Sequence, residues 1–454
     1  MSPVKVHIIH VGNMNNKGTQ ALFLTDISLI RQIFKDNVIF SVSTVDVEKV
    51  SKLASLYKLP LNAIVKPVVD VPYEKMDSFC QKYGLSRKSI KYKFFSLFYF
   101  VYMFAQLLIT AISTMLAKIG FMPLYRSANF MNLNACDVVI SCSDENFKEV
   151  SSMIPPNFYW IFTWWSLLIS RMAEVVVAKC FGKKLILFPN SIGPFKSFFA
   201  KSLAKFTLNN YSCLIARESY SFEIAKSLKL RSPVYITSDT ALLFSSTDYP
   251  VKNLRCYGDY LIGVSPGFYS HSFSKKLIFA HTKVFASVFD SIIERYGFFI
   301  VFLPHYTNKL SGDDLEICRL ILREMKRSDR AIIVESKNVS EFKALIAQMN
   351  IIISSKLHPA VLAAGSFIPA LCIAYDFKQT GFFKSLHLDE CVIPIHLFSS
   401  KLLLSKIEYV WTNQNIIKTI LEQRVPELQA SIKNLIEIIL FQLVDTVDSS
   451  LYYI

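Results

Sequence analysis

Short runs of β-branched residues alternate with helix-length segments along almost the whole chain, and that alternation leaves few architectures open. In the first half, strands are expected at VKVHIIHVG, VIFSVSTV, NAIVKPV, DVVISCS, KKLILFPNS, CLIARE and PVYITSD. The second half restarts at YLIGVSPGF and continues through FFIVFLPH, RAIIVES, NIIISSK, PALCIAYD and ECVIPI. Strands joined through helices run parallel and are covered on both faces, which suits runs this rich in Val and Ile. The chain therefore reads as α/β, and 454 residues exceed one such core. Two Rossmann-like domains are expected, at 1–245 and 255–400, with a linker near 244–259 and closing helices over 401–454.

Composition narrows the partners. Hydrophobic residues make up 52% of the chain and aromatics 14%, so a large core is expected and disorder is not. A formal charge of +15 favours anionic partners, namely phosphates, acidic lipid surfaces or nucleic acid. No zinc-finger or RNA-binding signature is present, so nucleic acid is not expected. No His, Cys or carboxylate cluster has ligand spacing, so no metal is expected either. The nine cysteines are scattered through apolar runs without a C-x-x-C pair, as free thiols in a reducing compartment would be. The opening MSPVKVHIIHVGN reads as strand and loop, not as a signal peptide, and a cytoplasmic location follows as the expectation.

One segment departs from the α/β pattern. Residues 94–117 carry no charge, are long enough to cross a bilayer, and are flanked by Arg87, Lys88, Lys91, Lys93 and Lys118. Strands of what reads as one sheet lie on both sides of it, so a single crossing would split a domain across the membrane. That leaves a helix or helical hairpin lying in one leaflet, giving peripheral membrane contact through 94–117, or an apolar core insertion spanning about 87–126. The aromatic run FYWIFTWWSLLI at 158–169 fits the interfacial view or packs against the insert.

Ligands of open α/β sheets bind outside the carboxyl ends of the strands, so strand-end polar residues are the site candidates, with the site in the cleft between domains. The first strand leads into GNMNNKGTQAL, where Asn16 and Gly18 precede a helix N-terminus that can face an anion. Asn190 ends a strand in FPNSIGPF, Arg217 ends CLIARE with a guanidinium suited to bidentate grip, and His305 follows FFIVFLP. Lys356 closes NIIISSK and His358 follows two residues later. Read as extended chain, residues two apart face one side, and a helix starting near Pro359 adds free amide donors. A small dianion with an acid or base beside it suits that combination.

NNKGTQAL, ISCSDENF, FPNSIGPF, ARESYSFEIAKSLKL, SDTALLF, FLPHYTNKLSGDD and SSKLHPAVLAAGSFIPALCIAYDFKQTGFF resemble, in order and spacing, the polysaccharide pyruvyl transferase family. The last block is the most specific: Ser355, Lys356, Leu357 and His358, then Pro369, Tyr375, Asp376 and Lys378. The resemblance implies a fold similar to the GT-B glycosyltransferases, phosphoenolpyruvate as donor substrate with no cofactor, and a sugar of a cell-surface polysaccharide or lipid-linked oligosaccharide as acceptor. The product is a pyruvate ketal. Carried over by position, Arg217, Lys356 and His358 contact phosphoenolpyruvate, His305 matches the family's Pro-His, and Lys378 completes the Tyr-Asp-x-Lys pattern. His358 is the expected general acid, because imidazole titrates near neutral pH. Asn16 and Gly18 are expected on the acceptor side, and an enzyme sharing the inner face of the cell membrane with a lipid-linked acceptor is the expected setting.

Two features depart from the family pattern. Lys356 stands where the family often has Arg, which keeps the charge but loses the planar fork. Asp144 and Glu145 stand where the family has a glycine-rich turn. A nucleotide-sugar glycosyltransferase of the same fold, or a non-catalytic glycan-binding member, remains open on sequence grounds.

Overall fold

The structure, a computed structural model, describes residues 2–69, 90–119, 127–149, 158–245, 249–267, 275–307 and 313–449. Two parallel sheets organise them. The first holds β1 (Val4–Val11), β2 (Val38–Thr44), β3 (Leu61–Val65), β4 (Val138–Ser141), β5 (Asp144–Phe147), β6 (Lys184–Ile192), β7 (Cys213–Ala216) and β8 (Val234–Ile236). Their order is β3-β2-β1-β4-β6-β7-β8, with β5 paired to β6 off that path. The second holds β9 (Leu261–Ser265), β10 (Phe299–Phe302), β11 (Ala331–Ile333), β12 (Ile351–Ser354), β13 (Ala370–Ala374) and β14 (Val392–Pro394), in the order β11-β10-β9-β12-β13-β14.

Both orders reverse direction once, between β1 and β4 and between β9 and β12. At such switch points the loops leaving adjacent strands diverge and open a crevice at their carboxyl ends. Burial explains why these segments are strands: β4, β9, β10, β12 and β13 are buried along their whole length, as parallel strands between helical layers are. β5 was not among the expected strands; DENF is polar, yet it pairs with β6 through Asp144 with Asn190 and Phe147 with Ile192.

The apolar segment forms one continuous helix, Ile90–Lys118, not a hairpin. Residues Leu97–Lys118 are long and apolar enough to cross a membrane. Yet β3 before the helix and β4 after it belong to one sheet, and Met103, Leu107 and Thr110 pack its inner side against the helix Phe158–Cys180. Its other side exposes Phe94, Phe98, Val101 and Met115. Trp165 packs on Phe100 of this helix at 5.7 Å. Of the basic flank, Arg87 and Lys88 lie outside the described residues, as do the side chains of Lys91 and Lys93 and residues 120–126 of the expected insert. The expected linker contains 246–248, also outside them. The closing helix Gln414–Ser449 returns to the first half of the chain, where Gln429 donates to the Leu242 carbonyl at 2.8 Å.

Candidate active site

The two switch points face each other. The loop after β1 meets the loop after β10 in a backbone bridge between Asn16 and Tyr306. Asn16 caps the helix Lys17–Ile33, its side chain accepting from Gly18 N–H at 2.9 Å. The same N–H also donates to His305 Nε2 at 3.0 Å. A ring that accepts at Nε2 and is neutral carries its proton on Nδ1, and His305 Nδ1 is buried without a hydrogen-bond partner. Burial, with Lys356, His358 and Lys17 nearby, holds His305 well below the ordinary imidazole pKa. His305 is therefore a neutral hydrogen-bond donor.

His358 stacks on His305, with ring centroids 6.1 Å apart and planes 17° from parallel. It does not lie in extended chain as expected. Lys356 is the N-cap of a helix that starts at Leu357, so His358 sits in the first turn and the two side chains diverge. His358 rests on the bare Cα of Gly18 while its Nε2 faces Asp239 Oδ2 at 3.8 Å, beyond hydrogen-bond reach. Burial lowers its pKa to about 4, against the opposing pull of Asp239, so the ring is neutral at neutral pH.

Asp239, which the sequence reading did not single out, is the hinge of this arrangement. Its Oδ1 caps a short 3-10 turn by accepting from Ala241 N–H at 3.0 Å, and its Oδ2 accepts from Arg217 Nη1 at 2.9 Å. Arg217 Nε donates to Ser191 Oγ at 2.8 Å, while its Nη2 is buried and has no partner. Arg217 is thus a buried guanidinium with one donor nitrogen to spare.

Lys356 takes the opposite wall. Its Nζ forms a two-pronged ion pair with Asp314, at 2.7 and 2.9 Å, and lies over the Tyr306 ring at 5.1 Å. Gly267, following β9, gives way to the lysine stem: a Cβ there would come 2.3 Å from Lys356 Cε. Lys17, also missed from sequence, is 3% exposed, and its Nζ reaches the Pro304 carbonyl at 3.5 Å. Desolvation lowers its pKa, countered by Asp314.

A third group links the halves. Lys378 donates to Glu145 Oε2 at 2.7 Å, and Lys148 reaches both that oxygen at 3.0 Å and Asp376 Oδ2 at 2.5 Å. These cations hold the Glu145 carboxyl well below its usual range despite its burial. The two acids that replace a glycine turn are thus accommodated: Glu145 by these lysines, and Asp144 beside Gly12, accepting from Thr19 at 3.4 Å.

Asn190 plays a different part from the one expected. It is fully buried, its Oδ1 accepting from Asn146 N–H at 2.8 Å and its Nδ2 donating to the Cys142 and Phe188 carbonyls. That amide braces β5 against β6 and offers no group to the crevice. Arg217, His305, His358, Gly18 and Asn16 are brought together; Lys356 and Lys378 flank them on separate ion pairs.

Residues 54–377 match the sequence profile of the polysaccharide pyruvyl transferase family. The amylovoran biosynthesis protein AmsJ of Erwinia amylovora is 23% identical over 267 residues, a match spanning 54% of this chain and 63% of that relative. Among solved structures, UDP-GlcNAc 2-epimerase from Neisseria meningitidis, bound to UDP-GlcNAc, superposes with a TM-score of 0.57 at 10% identity over 96% of this chain and 100% of that one. The enzyme of the same name from Methanocaldococcus jannaschii gives 0.56 at 11% identity, covering 96% and 100%. The glycosyltransferase of kitacinnamycin gives 0.53 at 10%, covering 98% and 100%. The shared property at these identities is the fold, an α/β architecture of the GT-B type, which in this chain carries an apolar helix in the first half.

Proposed function

The chain belongs to the polysaccharide pyruvyl transferase family, and we propose that it transfers the pyruvyl group of phosphoenolpyruvate to two hydroxyls of one sugar in a cell-surface polysaccharide or lipid-linked oligosaccharide. The observation that carries this reading is a set of unsatisfied nitrogens. Arg217 Nη2, His305 Nδ1 and His358 Nε2 are buried beside one another with no hydrogen-bond partner among the described residues. Leaving a buried donor unmade costs about 1–3 kcal/mol, more for a charged group, so three together argue for an absent anionic partner.

In this reading the phosphate and carboxylate of the donor take up those nitrogens, with Lys17 and Lys356 adding charge from the opposite wall. The dianion favours the imidazolium form of His358, so donor binding charges the acid that then protonates the methylene carbon. A sugar hydroxyl adds at the neighbouring carbon, phosphate departs, and a second hydroxyl closes the ring. One hydroxyl proton is thereby matched by the methyl group formed, the other by the released phosphate. The helix Ile90–Lys118 lies in the membrane interface, which suits a lipid-linked acceptor at the inner face of the membrane.

Thermal unfolding with phosphoenolpyruvate, phosphate and nucleotide sugars tests the donor. Saturation at a hundred times the dissociation constant stabilises by about 2.7 kcal/mol. The expected result is a shift with phosphoenolpyruvate that Arg217→Lys and His358→Ala abolish. A shift with nucleotide sugars alone would replace this reading with glycosyl transfer.

A further inference from the structure

A second apolar surface stands beside the Ile90–Lys118 helix. The helix Phe198–Leu208 turns Ala200, Ala204, Thr207 and Leu208 inward and exposes Phe198, Lys201, Lys205 and Phe206. Phe198, Lys201 and Lys205 recur at three and four residues on one face of the helix with Phe206 beside them, a face that mixes two phenylalanines with two lysines. Phe198 is 87% exposed, the most of any large hydrophobic residue described, and Phe206 is 55% exposed. A face meant for water does not need them.

Ring contacts fix this helix to the insert: Phe199 packs on Phe100 at 5.7 Å and on Trp165 at 4.7 Å. Charge is of one sign. Among the described residues of the helices at 90–118, 158–180 and 198–208, the exposed charges are Lys118, Lys179, Lys201 and Lys205, while Glu174 is buried. The surface also reaches the candidate site. Glu149, adjacent to Lys148, accepts from Trp165 Nε1 at 3.0 Å and from Ser197 N–H, the cap of the exposed helix, at 2.8 Å.

We propose that the Phe198–Leu208 helix is a second membrane contact, its phenylalanines entering the interface of an anionic lipid surface and its lysines meeting the head groups. This deepens the membrane contact proposed for the insert and is independent of the donor chemistry. Two helices joined through Trp165 set the orientation of the protein on the surface, where one would leave it free to roll. Through Glu149 that orientation holds the crevice wall at the lipid, within reach of an acceptor anchored there.

Flotation of the full chain with phosphatidylcholine vesicles, with and without phosphatidylglycerol, tests it. Binding is expected only with the anionic lipid. Lys201→Ala/Lys205→Ala should weaken it about thirty-fold, and Phe198→Ser/Phe206→Ser by about tenfold or more. Both pairs are on the surface, and unchanged thermal midpoints would show that they fold. If both pairs float like the parent while Phe98→Ser/Val101→Ser does not, the insert binds lipid and this second contact is wrong. If the parent itself does not float, both contacts fall. If the Phe198→Ser/Phe206→Ser pair changes the oligomeric state and leaves flotation intact, a second copy of the chain covers this face and the lipid assignment is overturned.

Discussion

Gly18 lies directly beneath His358: a Cβ at position 18 would come within 2.1 Å of the ring's Nδ1 and 2.7 Å of its Cβ. The two residues come from facing switch points, so the absence of one methyl group lets the halves of the crevice close on each other. Because the clash reaches the histidine's own Cβ, rotating the ring does not relieve it. Gly18→Ala should abolish the phosphoenolpyruvate-induced thermal shift and cost about 1–3 kcal/mol of stability from overpacking. Gly267→Ala meets the flexible stem of Lys356 instead and should weaken donor binding far less. A parent-like shift in Gly18→Ala would remove His358 from the donor site.

Asp239 holds Arg217 and faces His358. Asp239→Ala strands a buried guanidinium with the Ser191 hydroxyl as its remaining hydrogen-bond partner among the described residues, and about 3–5 kcal/mol of stability should be lost. Asp239→Asn keeps the shape and is the informative variant. The carboxylate pulls the His358 pKa upward, so its removal should move the acid's ionisation to lower pH and cut turnover near neutrality. A pH–rate profile for phosphoenolpyruvate consumption checks both the direction and the assignment.

The sheets were legible because parallel strands buried on both faces announce themselves as Val and Ile runs. β5 was not, because DENF is polar and its charges are met from far along the chain: Glu145 finds Lys378 233 positions away. Lys17 was not singled out from the sequence, because its burial depends on the second half of the chain, where its Nζ reaches the Pro304 carbonyl. Lys356 and His358 were recognisable as residue types, whereas their divergence depends on one helical turn starting two residues earlier than the proline suggested. Asn190 shows the converse: a strand-end amide is spent on the backbone of a neighbouring strand that sequence did not reveal.

Lys148 stands between Glu145 and Asp376, and Lys378 binds Glu145 from the other half of the chain. Removing the shared cation should cost more than removing the peripheral one. Lys148→Ala is expected to lose about 3–5 kcal/mol, with Lys378→Ala losing less because Glu145 keeps Lys148. Urea unfolding of the two variants gives the order directly, and a larger loss in Lys378→Ala would refute it.

Beneath the first sheet, His7 and His10 are held neutral by burial, with pKa values lowered to about 4 and about 3, while Glu174 is raised to about 7. Their linkage to stability has opposite sign. Below pH 6.5 the unfolded chain protonates histidines that the folded chain does not, so these groups and His358 cost stability as pH falls. Glu174 keeps its proton in the folded state up to about pH 7 but loses it near 4.5 when unfolded, so its contribution falls as pH rises across that window. Glu174→Gln keeps an oxygen for Ser43 and Asn129 and removes the titration. The variant should match the parent near pH 4.5 and gain on it progressively to pH 8, by up to about 3 kcal/mol at 1.36 kcal/mol per unit of pKa. Thermal or urea unfolding at a series of pH values measures the difference, and a gain that does not grow between pH 5 and pH 7 would mean that Glu174 is already ionised in the folded protein.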